Sequence, residues 1–243
     1  MTTHSLSIEV IFAPSLYSSR QIRVNYVVVV VDILRAGTTI CAALHAGAEK
    51  VIPVATIEKA VLMKDKGCLV TGERDGKKLK FADFGNSPIE LSNDKILGQT
   101  LVISTTNGTR AIETARGADL IVVGSFTNLK YLTEWLSGLD KNIVILCAGW
   151  RETFSLEDSI FAGALTESLI RLQDKYILHD SASAAQEFWL PARNDLGAYL
   201  KKSSHYQRLV NLGSQDDLDY AAVLNSTPVI PLLEDSYFKN IYK

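Results

Sequence analysis

Residues 26–46 read YVVVVVDILRAGTTICAALHA. The five consecutive valines Val27–Val31 show no alternation of apolar and polar residues. A β-branched run of this kind marks a strand buried on both faces, as in a parallel sheet covered by helices. The run stops at Asp32, and after Gly37, Thr38 and Thr39 the residues Ile40, Ala43, Leu44 and Gly47 recur at helical spacing. The stretch therefore reads as strand, polar turn and helix, with the helix N-terminus facing the turn. In open α/β sheets, ligands lie beyond the carboxyl ends of the strands. A helix N-terminus there presents unpaired N–H groups and the positive end of a dipole, which suit an anion. Asp32 and Arg35 are thus candidate site residues. A competing reading makes Asp32 and Thr38 helix caps and Arg35 a surface charge.

The same alternation of buried strand, polar turn and helix extends along the chain. Ser7–Phe12 reads as a first strand at a sheet edge, and short buried strands are expected at Val51–Val54, Leu69–Thr71, Leu101–Ser104, Leu120–Val123 and Ile143–Ala148. Helices are expected at Ile57–Lys66, Thr109–Arg116, Asn128–Leu136 and, longest, Phe154–Gln173. Ser181–Leu224 reads as mainly helical and Val229–Leu232 as a final short strand. The polar stretch Gly72–Glu90 is long for a connection in a compact domain, which points to function. The fold class is α/β, a layered α/β/α arrangement around a mixed or mainly parallel sheet. An internal repeat relates Thr39–Val54 to Thr109–Gly124 at an offset of 70 residues, aligning Ala-Gly-Ala-Glu (46–49) with Arg-Gly-Ala-Asp (116–119). It suggests one domain over 1–243, built from two duplicated subdomains of about 1–90 and 91–243.

Composition excludes several classes of function. Hydrophobic residues make up 47% of the 243 and charged residues 21%, with a net charge of −2. These values suit a globular protein with a real core, and nucleic acid is not expected as a partner. No apolar run approaches the roughly 20 residues of a membrane helix. The amino terminus MTTHSLSIEV has no secretory pattern. Cys41, Cys68 and Cys147 are odd in number and widely spaced, as expected of reduced thiols in the cytoplasm. The four histidines show no metal-ligand spacing. There is no G-x-x-x-x-G-K-[ST], no G-x-G-x-x-G and no G-x-S-x-G. Asp32 is not followed by a second Asp at 34, and Arg151 falls too early after Cys147 for a cysteine-phosphatase loop.

What remains is a set of polar turns after the buried strands. Beside Asp32–Thr39 these are GNSPIE at 85–90 with Asn86, TTNGTR at 105–110 with Thr105, Thr106, Asn107 and Arg110, GSFTN at 124–128 with Ser125 and Asn128, and CAGWRETFSLED from Cys147 to Asp158. Ser155 and Asp158 resemble a capping box, and acids in a first helical turn complement its dipole. Asp158 also shares a stripe with Phe161, Leu165, Leu169 and Leu172, so it heads a buried face, where an acid needs a partner or a cation. Asp32, Glu157 and Asp158 together would offer Mg²⁺ an oxygen-rich site. Arginine forks match phosphate and carboxylate geometry, and phosphoryl transfer needs mainly positioning and charge neutralisation. These residues fit a Mg²⁺-dependent reaction on a small anionic phosphorylated substrate. The nucleophile is open between metal-activated water, the Asp32 carboxylate and, less favoured, Cys147. A non-catalytic organic-anion-binding protein is the alternative.

These motifs together resemble the 2-phosphosulfolactate phosphatase (ComB) family. The likeness rests on D-I-L-R-A-G-T-T at 32–39, G-N-S-P-I-E at 85–90, T-T-N-G-T-R at 105–110, G-S-F-T-N at 124–128, C-A-G, F-S-L-E-D and A-G-A-L between 147 and 165, S-S-H at 203–205 and D-L-D-Y-A at 217–221. It runs from about residue 8 to 235. It implies an α/β fold and Mg²⁺-dependent hydrolysis of 2-phosphosulfolactate to 3-sulfolactate and phosphate, a step toward coenzyme M. The polar positions it matches are Asp32, Arg35, Asn86, Thr105, Thr106, Asn107, Arg110, Ser125, Asn128, Cys147, Glu157 and Asp158. Gly37, Tyr206 and Asn225 depart from the family's usual small hydroxyl or alanine, glycine and acid; they bear on the substrate more than on the fold. The expected location is the cytoplasm; the oligomeric state is left open, a homodimer being one alternative.

Overall fold

The computed structural model describes residues 5–17, 25–91 and 94–242. Its first half comprises strands β1 (Leu6–Ile11) and β2 (Tyr26–Val31), helix α1 (Ala36–His45), β3 (Lys50–Pro53), α2 (Ile57–Asp65), β4 (Leu69–Arg74) and β5 (Lys77–Lys78). There follow β6 (Thr100–Ser104), α3 (Gly108–Thr114), β7 (Leu120–Gly124), α4 (Leu129–Ser137), β8 (Asn142–Cys147), α5 (Leu156–Leu172) and β9 (Tyr176–Leu178). The chain closes with helices α6 (Asp180–Ala192), α7 (Leu196–Leu200), α8 (Ser204–Asn211) and α9 (Gln215–Ala221) and the hairpin β10 (Pro231–Glu234), β11 (Tyr237–Asn240).

All the strands join one sheet in the order β5-β4-β6-β3-β11-β10-β7-β2-β8-β1-β9. The runs β4-β6-β3 and β7-β2-β8-β1-β9 are parallel within themselves. The final hairpin lies antiparallel between them, touching each through a single residue pair, Leu232–Val122 and Phe238–Val51. The expected last strand is therefore a two-stranded bridge between the parallel runs. The expected edge strand, β1, lies between β8 and β9 instead. Its alternation arises because Ser7 and Glu9 sit on a thinly covered face, and the three-residue β9 takes the edge.

The valine run is central, with β7 on one side and β8 on the other. Val27, Val29 and Val31 pack with Leu132, Phe161, Leu165 and Trp189 of α4, α5 and α6. Val28 and Val30 pack on the opposite face with Ile40, Leu44 and Ile112 of α1 and α3. Each valine so buried contributes about 1.5–3 kcal/mol, so both helical layers are anchored on this one strand.

At the offset of 70, α1 aligns with α3 and β3 with β7. The units β2–α1–β3 and β6–α3–β7 cross between the two parallel runs in opposite senses. Duplicated subdomains are nonetheless not established: the sheet is continuous, and α5–α9 follow residue 155 without a matching set in the first half. No helix among the described residues is long and apolar enough to cross a membrane.

Candidate active site

The turn after β2 satisfies both readings of Asp32. Asp32 Oδ1 accepts a hydrogen bond from the Ala36 N–H at 3.2 Å, and its carbonyl accepts one from Gly37 N–H at 2.7 Å. One carboxylate oxygen thus caps α1, where an external anion was expected. The other, Oδ2, accepts no hydrogen bond from the described residues. A Cβ on Gly108 would lie 2.7 Å from Asp32 Oδ2 and 2.6 Å from Ala36 Cβ. Glycine at the start of α3 therefore lets the second polar turn close onto the first. Gly37 has a similar local reason, since a Cβ there would meet the Asp32 carbonyl oxygen at 2.8 Å. Burial is the main force on the Asp32 carboxyl; with Glu73 and Glu157 it outweighs His205 and the Ala36 N–H and raises the pKa from 3.8 to about 6.

The next acids are structural in their first contacts. Ser155 caps α5 by accepting from the Asp158 N–H. Asp158 Oδ1 accepts from Ile33 N–H at 2.9 Å and Oδ2 from Gly149 N–H at 3.1 Å, tying the loop after β2 to the loop after β8. Burial, with Glu157 and Asp32 nearby, pushes the Asp158 carboxyl well up. Glu157 is equally enclosed, its Oε2 accepting from Ser203 Oγ at 2.5 Å and its Oε1 bonded to His205 Nδ1 at 2.9 Å. Burial raises its pKa, but the bonds to His205 and Ser203 overcome this and hold the carboxyl below its ordinary value.

Helices α8 and α9 roof the strand ends. Ser203 caps α8, accepting from His205 and Tyr206 N–H, and the His205 ring lies against Trp150 with centroids 5.1 Å apart. Arg35, also buried, donates to Asp217 of α9 at 2.5 Å and to Ser214 at 3.0 Å, while Ser87 donates to the other Asp217 oxygen. Between floor and roof lies a narrow cleft walled by Asp32, Glu73, Asn86, Thr105, Trp150 and His205. It adjoins a wider opening of about 320 Å³ through Arg35, Gly76 and Asn86. Glu73 is spent on backbone donors, the N–H groups of Thr106 and Gly76. Asn86 Oδ1 is buried without a hydrogen-bond partner.

Of the residues nominated from the sequence, Asp32, Arg35, Asn86, Thr105 and Asn107 meet at this cleft. Asn107 also accepts from Arg151 N–H, and Thr106 is held by Glu73 on the outer side of the turn. Arg110 is elsewhere: its side chain is 64% exposed, on an adjoining groove, and paired with Glu152 at 2.6 Å. Ser125 and Asn128 form a fully buried capping box, with Ser125 bonded to Thr38 and Asn128 to the Val123 and Val229 carbonyls. Cys147 packs in the apolar core, and burial, with Asp158 and Glu157, pushes its thiol pKa well up. A thiol so held stays protonated and makes a poor nucleophile. Sequence reasoning left His205, Ser203, Glu73 and Asp217 out of the site. The S-S-H and D-L-D-Y-A runs were the signals that held three of them.

The expected ligands for Mg²⁺ fare unequally. Every carboxylate oxygen of Glu157 and Asp158 is already engaged by a hydrogen bond, and no group of three or more His, Cys, Asp or Glu among the described residues is gathered around a metal-sized point. The Asp32 carboxylate and the Asn86 amide, whose Oδ1 is buried without a hydrogen-bond partner, both line the cleft. Such a pair fits Mg²⁺, which commonly takes one or two protein oxygens, several waters and substrate phosphate.

Known proteins similar to this chain are named as phosphatases. The sequence model described as 2-phosphosulpholactate phosphatase matches residues 11–236. A probable 2-phosphosulfolactate phosphatase of Thermotoga maritima is 40% identical over 210 residues, covering 86% of this chain and 90% of that protein. One from Carboxydothermus hydrogenoformans is 40% identical over 228 residues, covering 93% and 92%. One from Prochlorococcus marinus is 39% identical over 198 residues, covering 78% and 81%.

Proposed function

The chain belongs to the 2-phosphosulpholactate phosphatase family, and from that premise we propose that it hydrolyses 2-phosphosulfolactate to 3-sulfolactate and phosphate in a Mg²⁺-dependent reaction. The observation that carries the reading is a cleft lined both by Asp32, whose Oδ2 accepts no hydrogen bond from the described residues, and by His205, fixed by the buried Glu157.

Asp32 is the group that meets phosphorus. Its ionised Oδ2 either attacks directly, giving an acyl phosphate that water then hydrolyses, or takes a proton from the attacking water. In both routes the bond from phosphorus to the lactate oxygen breaks. His205 donates its Nε2 proton to that oxygen, while Nδ1–H stays on Glu157. The Glu157 bond fixes the ring's orientation toward the leaving oxygen, a positioning role usual for the partner of a histidine acid. Mg²⁺ would be held by Asn86 and by the Asp32 carboxylate through the oxygen that does not react, and would supply neutralisation of charge on the phosphoryl oxygens. Asp158 binds nothing in this scheme but keeps the loops after β2 and β8 in register.

The test is phosphate release from a panel of phosphorylated hydroxy acids, with Mg²⁺ and with chelator. Turnover of 2-phosphosulfolactate above the other esters, lost on chelation and regained with Mg²⁺, is expected. Equal rates with chelator would remove the metal, and no release from any ester would remove the phosphatase. Borohydride added during turnover separates the two routes, since an aspartyl phosphate at position 32 is reduced to the alcohol while the water route leaves the Asp32 carboxyl intact.

A further inference from the structure

The two arginines singled out by sequence are both neutralised by acids, Arg35 by Asp217 and Arg110 by Glu152. A third, Arg208, is not. Its guanidinium carbon stands 3.5 Å from the centre of the Trp150 ring, close enough to stack on it. Its Nη2 is buried and has no hydrogen-bond partner, and no ion pair engages it among the described residues. Arg208 lies on α8 one turn beyond His205 and beside Leu209, and both of those residues wall the cleft. Glu157, Glu73 and Asp75 are near enough to be felt electrostatically, but none closes to an ion pair.

We propose that Arg208, stacked on Trp150, is the arginine that binds the phosphoryl group of the substrate in the cleft beside Asp32 and His205. The assignment rests on the phosphatase reading and names the arginine that reading lacks. A buried donor on a charged group costs free energy until an acceptor arrives. An arginine held flat on an indole gives up little further freedom when it takes up a phosphate, and its fork meets two phosphate oxygens at once. The acids around it work against an anion entering alone, so the guanidinium supplies charge where the floor of the cleft is carboxylate-rich. It is also carried by the same helix as the proposed general acid, so α8 delivers both groups together.

The test uses the full chain with Arg208→Met and Arg208→Lys, and inorganic phosphate as the probe. For Arg208→Met, kcat/KM for 2-phosphosulfolactate is expected to fall about 100-fold and the inhibition constant of inorganic phosphate to rise at least about tenfold. Arg208→Lys should recover part of both, because charge returns without the fork. Inhibition by 3-sulfolactate, which lacks the phosphoryl group, should change less than about twofold in either variant. If Arg208→Met leaves the phosphate constant within about twofold of the parent, the assignment is wrong. A shift confined to 3-sulfolactate inhibition also overturns it, placing Arg208 at the acid end instead. Matching thermal melts of the Arg208→Lys variant and the parent separate a folding defect from lost binding. Should the parent protein hydrolyse nothing, calorimetric titration with inorganic phosphate still decides: weaker binding to Arg208→Met upholds the site, and equal or absent binding sinks it.

Discussion

The floor and the roof of the cleft are built on opposite plans. The floor is the set of strand ends, and its polar groups are largely consumed in building it. Asp158 spends both oxygens on backbone N–H groups and Glu73 does the same, so that of these three carboxylates only Asp32 keeps an oxygen for chemistry. The roof is the short pair α8–α9, latched down by Glu157 to Ser203 and His205 and by Arg35 to Asp217. It carries the groups whose hydrogen-bonding capacity is not exhausted. A rigid parallel sheet can aim one carboxylate well, but the complementary acid and cation come from a segment that packs on it afterwards.

The sharpest way to break this contrast is at Asp32. Asp32→Asn should lower kcat by at least about a thousand-fold, the scale on which loss of a nucleophile or general base is felt. The parent enzyme needs this group ionised, so kcat/KM should fall about tenfold per pH unit below about 6. Stability should move the other way. The folded state holds the Asp32 proton more tightly than the unfolded chain, so between about pH 4 and 6 it keeps a proton that the unfolded chain has released. Stability from this group therefore falls as pH rises through that window and stays lost above it. Asp32→Asn removes the penalty and should be more stable at pH 7 by up to about 3 kcal/mol, with no advantage below about pH 4. Denaturant melts of both proteins at the two pH values check the sign; an Asn variant that is inactive and less stable at pH 7 would contradict it.

The roof is tested next. His205→Gln should cost about 100- to 1,000-fold in kcat with little change in fold, as for removal of a positioned general acid. Esters with more acidic leaving alcohols should lose less, since they leave without a proton. If the loss is the same for a nitrophenyl ester as for an alkyl ester, His205 is not the acid. Glu157→Gln, which keeps a hydrogen bond but not the charge, should fall between parent and His205→Gln.

These two walls were unequally legible in the sequence. The valine run places β2 at the centre because nothing but a doubly covered strand accommodates it, and the polar turns after β2 and β6 fall where ligands of such sheets lie. Asn86 comes from the polar 85–90 stretch, whereas Asp32 and Thr105 follow from that logic alone. It fails at Ser125 and Asn128, because a turn residue that caps a buried 3₁₀ segment has the same letters as one that binds a substrate. It fails again at Arg110, where a helical residue one turn too far along points outward to Glu152. His205 and Arg208 had no periodic signal at all. They sit in a short helix whose position is set by contacts with Glu157 and Trp150, both distant in sequence. Of the closing hairpin only the first strand was expected, at Val229–Leu232 against the observed Pro231–Glu234, and the second was missed for a related reason, since four-residue strands joined to the sheet by single pairs leave little pattern.

A smaller effect on activity, but a large one on folding, is expected at Asp158. Asp158→Ala leaves the buried N–H groups of Ile33 and Gly149 without acceptors, at about 1–3 kcal/mol each. Chemical denaturation should show a loss of several kcal/mol, with residual activity in whatever fraction stays folded. Intact stability combined with abolished Mg²⁺ affinity would reverse this and make Asp158 a metal ligand after all.

The least effect is expected at Cys147, and it bears on the mechanism most directly for that reason. The residue ends β8 on the floor, next to the loop that Asp158 holds, and by sequence position alone it is as well placed as Asp32. The difference is environmental. Cys147 has no exposed surface and sits among core side chains, where burial and two neighbouring acids oppose a thiolate. Asp32 lies under the same pressure, yet lines the cleft together with His205 and keeps one oxygen without a hydrogen bond from the described residues. Cys147→Ala should therefore keep kcat within about threefold while costing about 1–2 kcal/mol of stability through the small cavity it opens. Iodoacetamide should not inactivate the folded protein at a rate matching alkylation of this thiol. Loss of activity in Cys147→Ala at unchanged stability would move the nucleophile to sulfur and leave Asp32 as a cap.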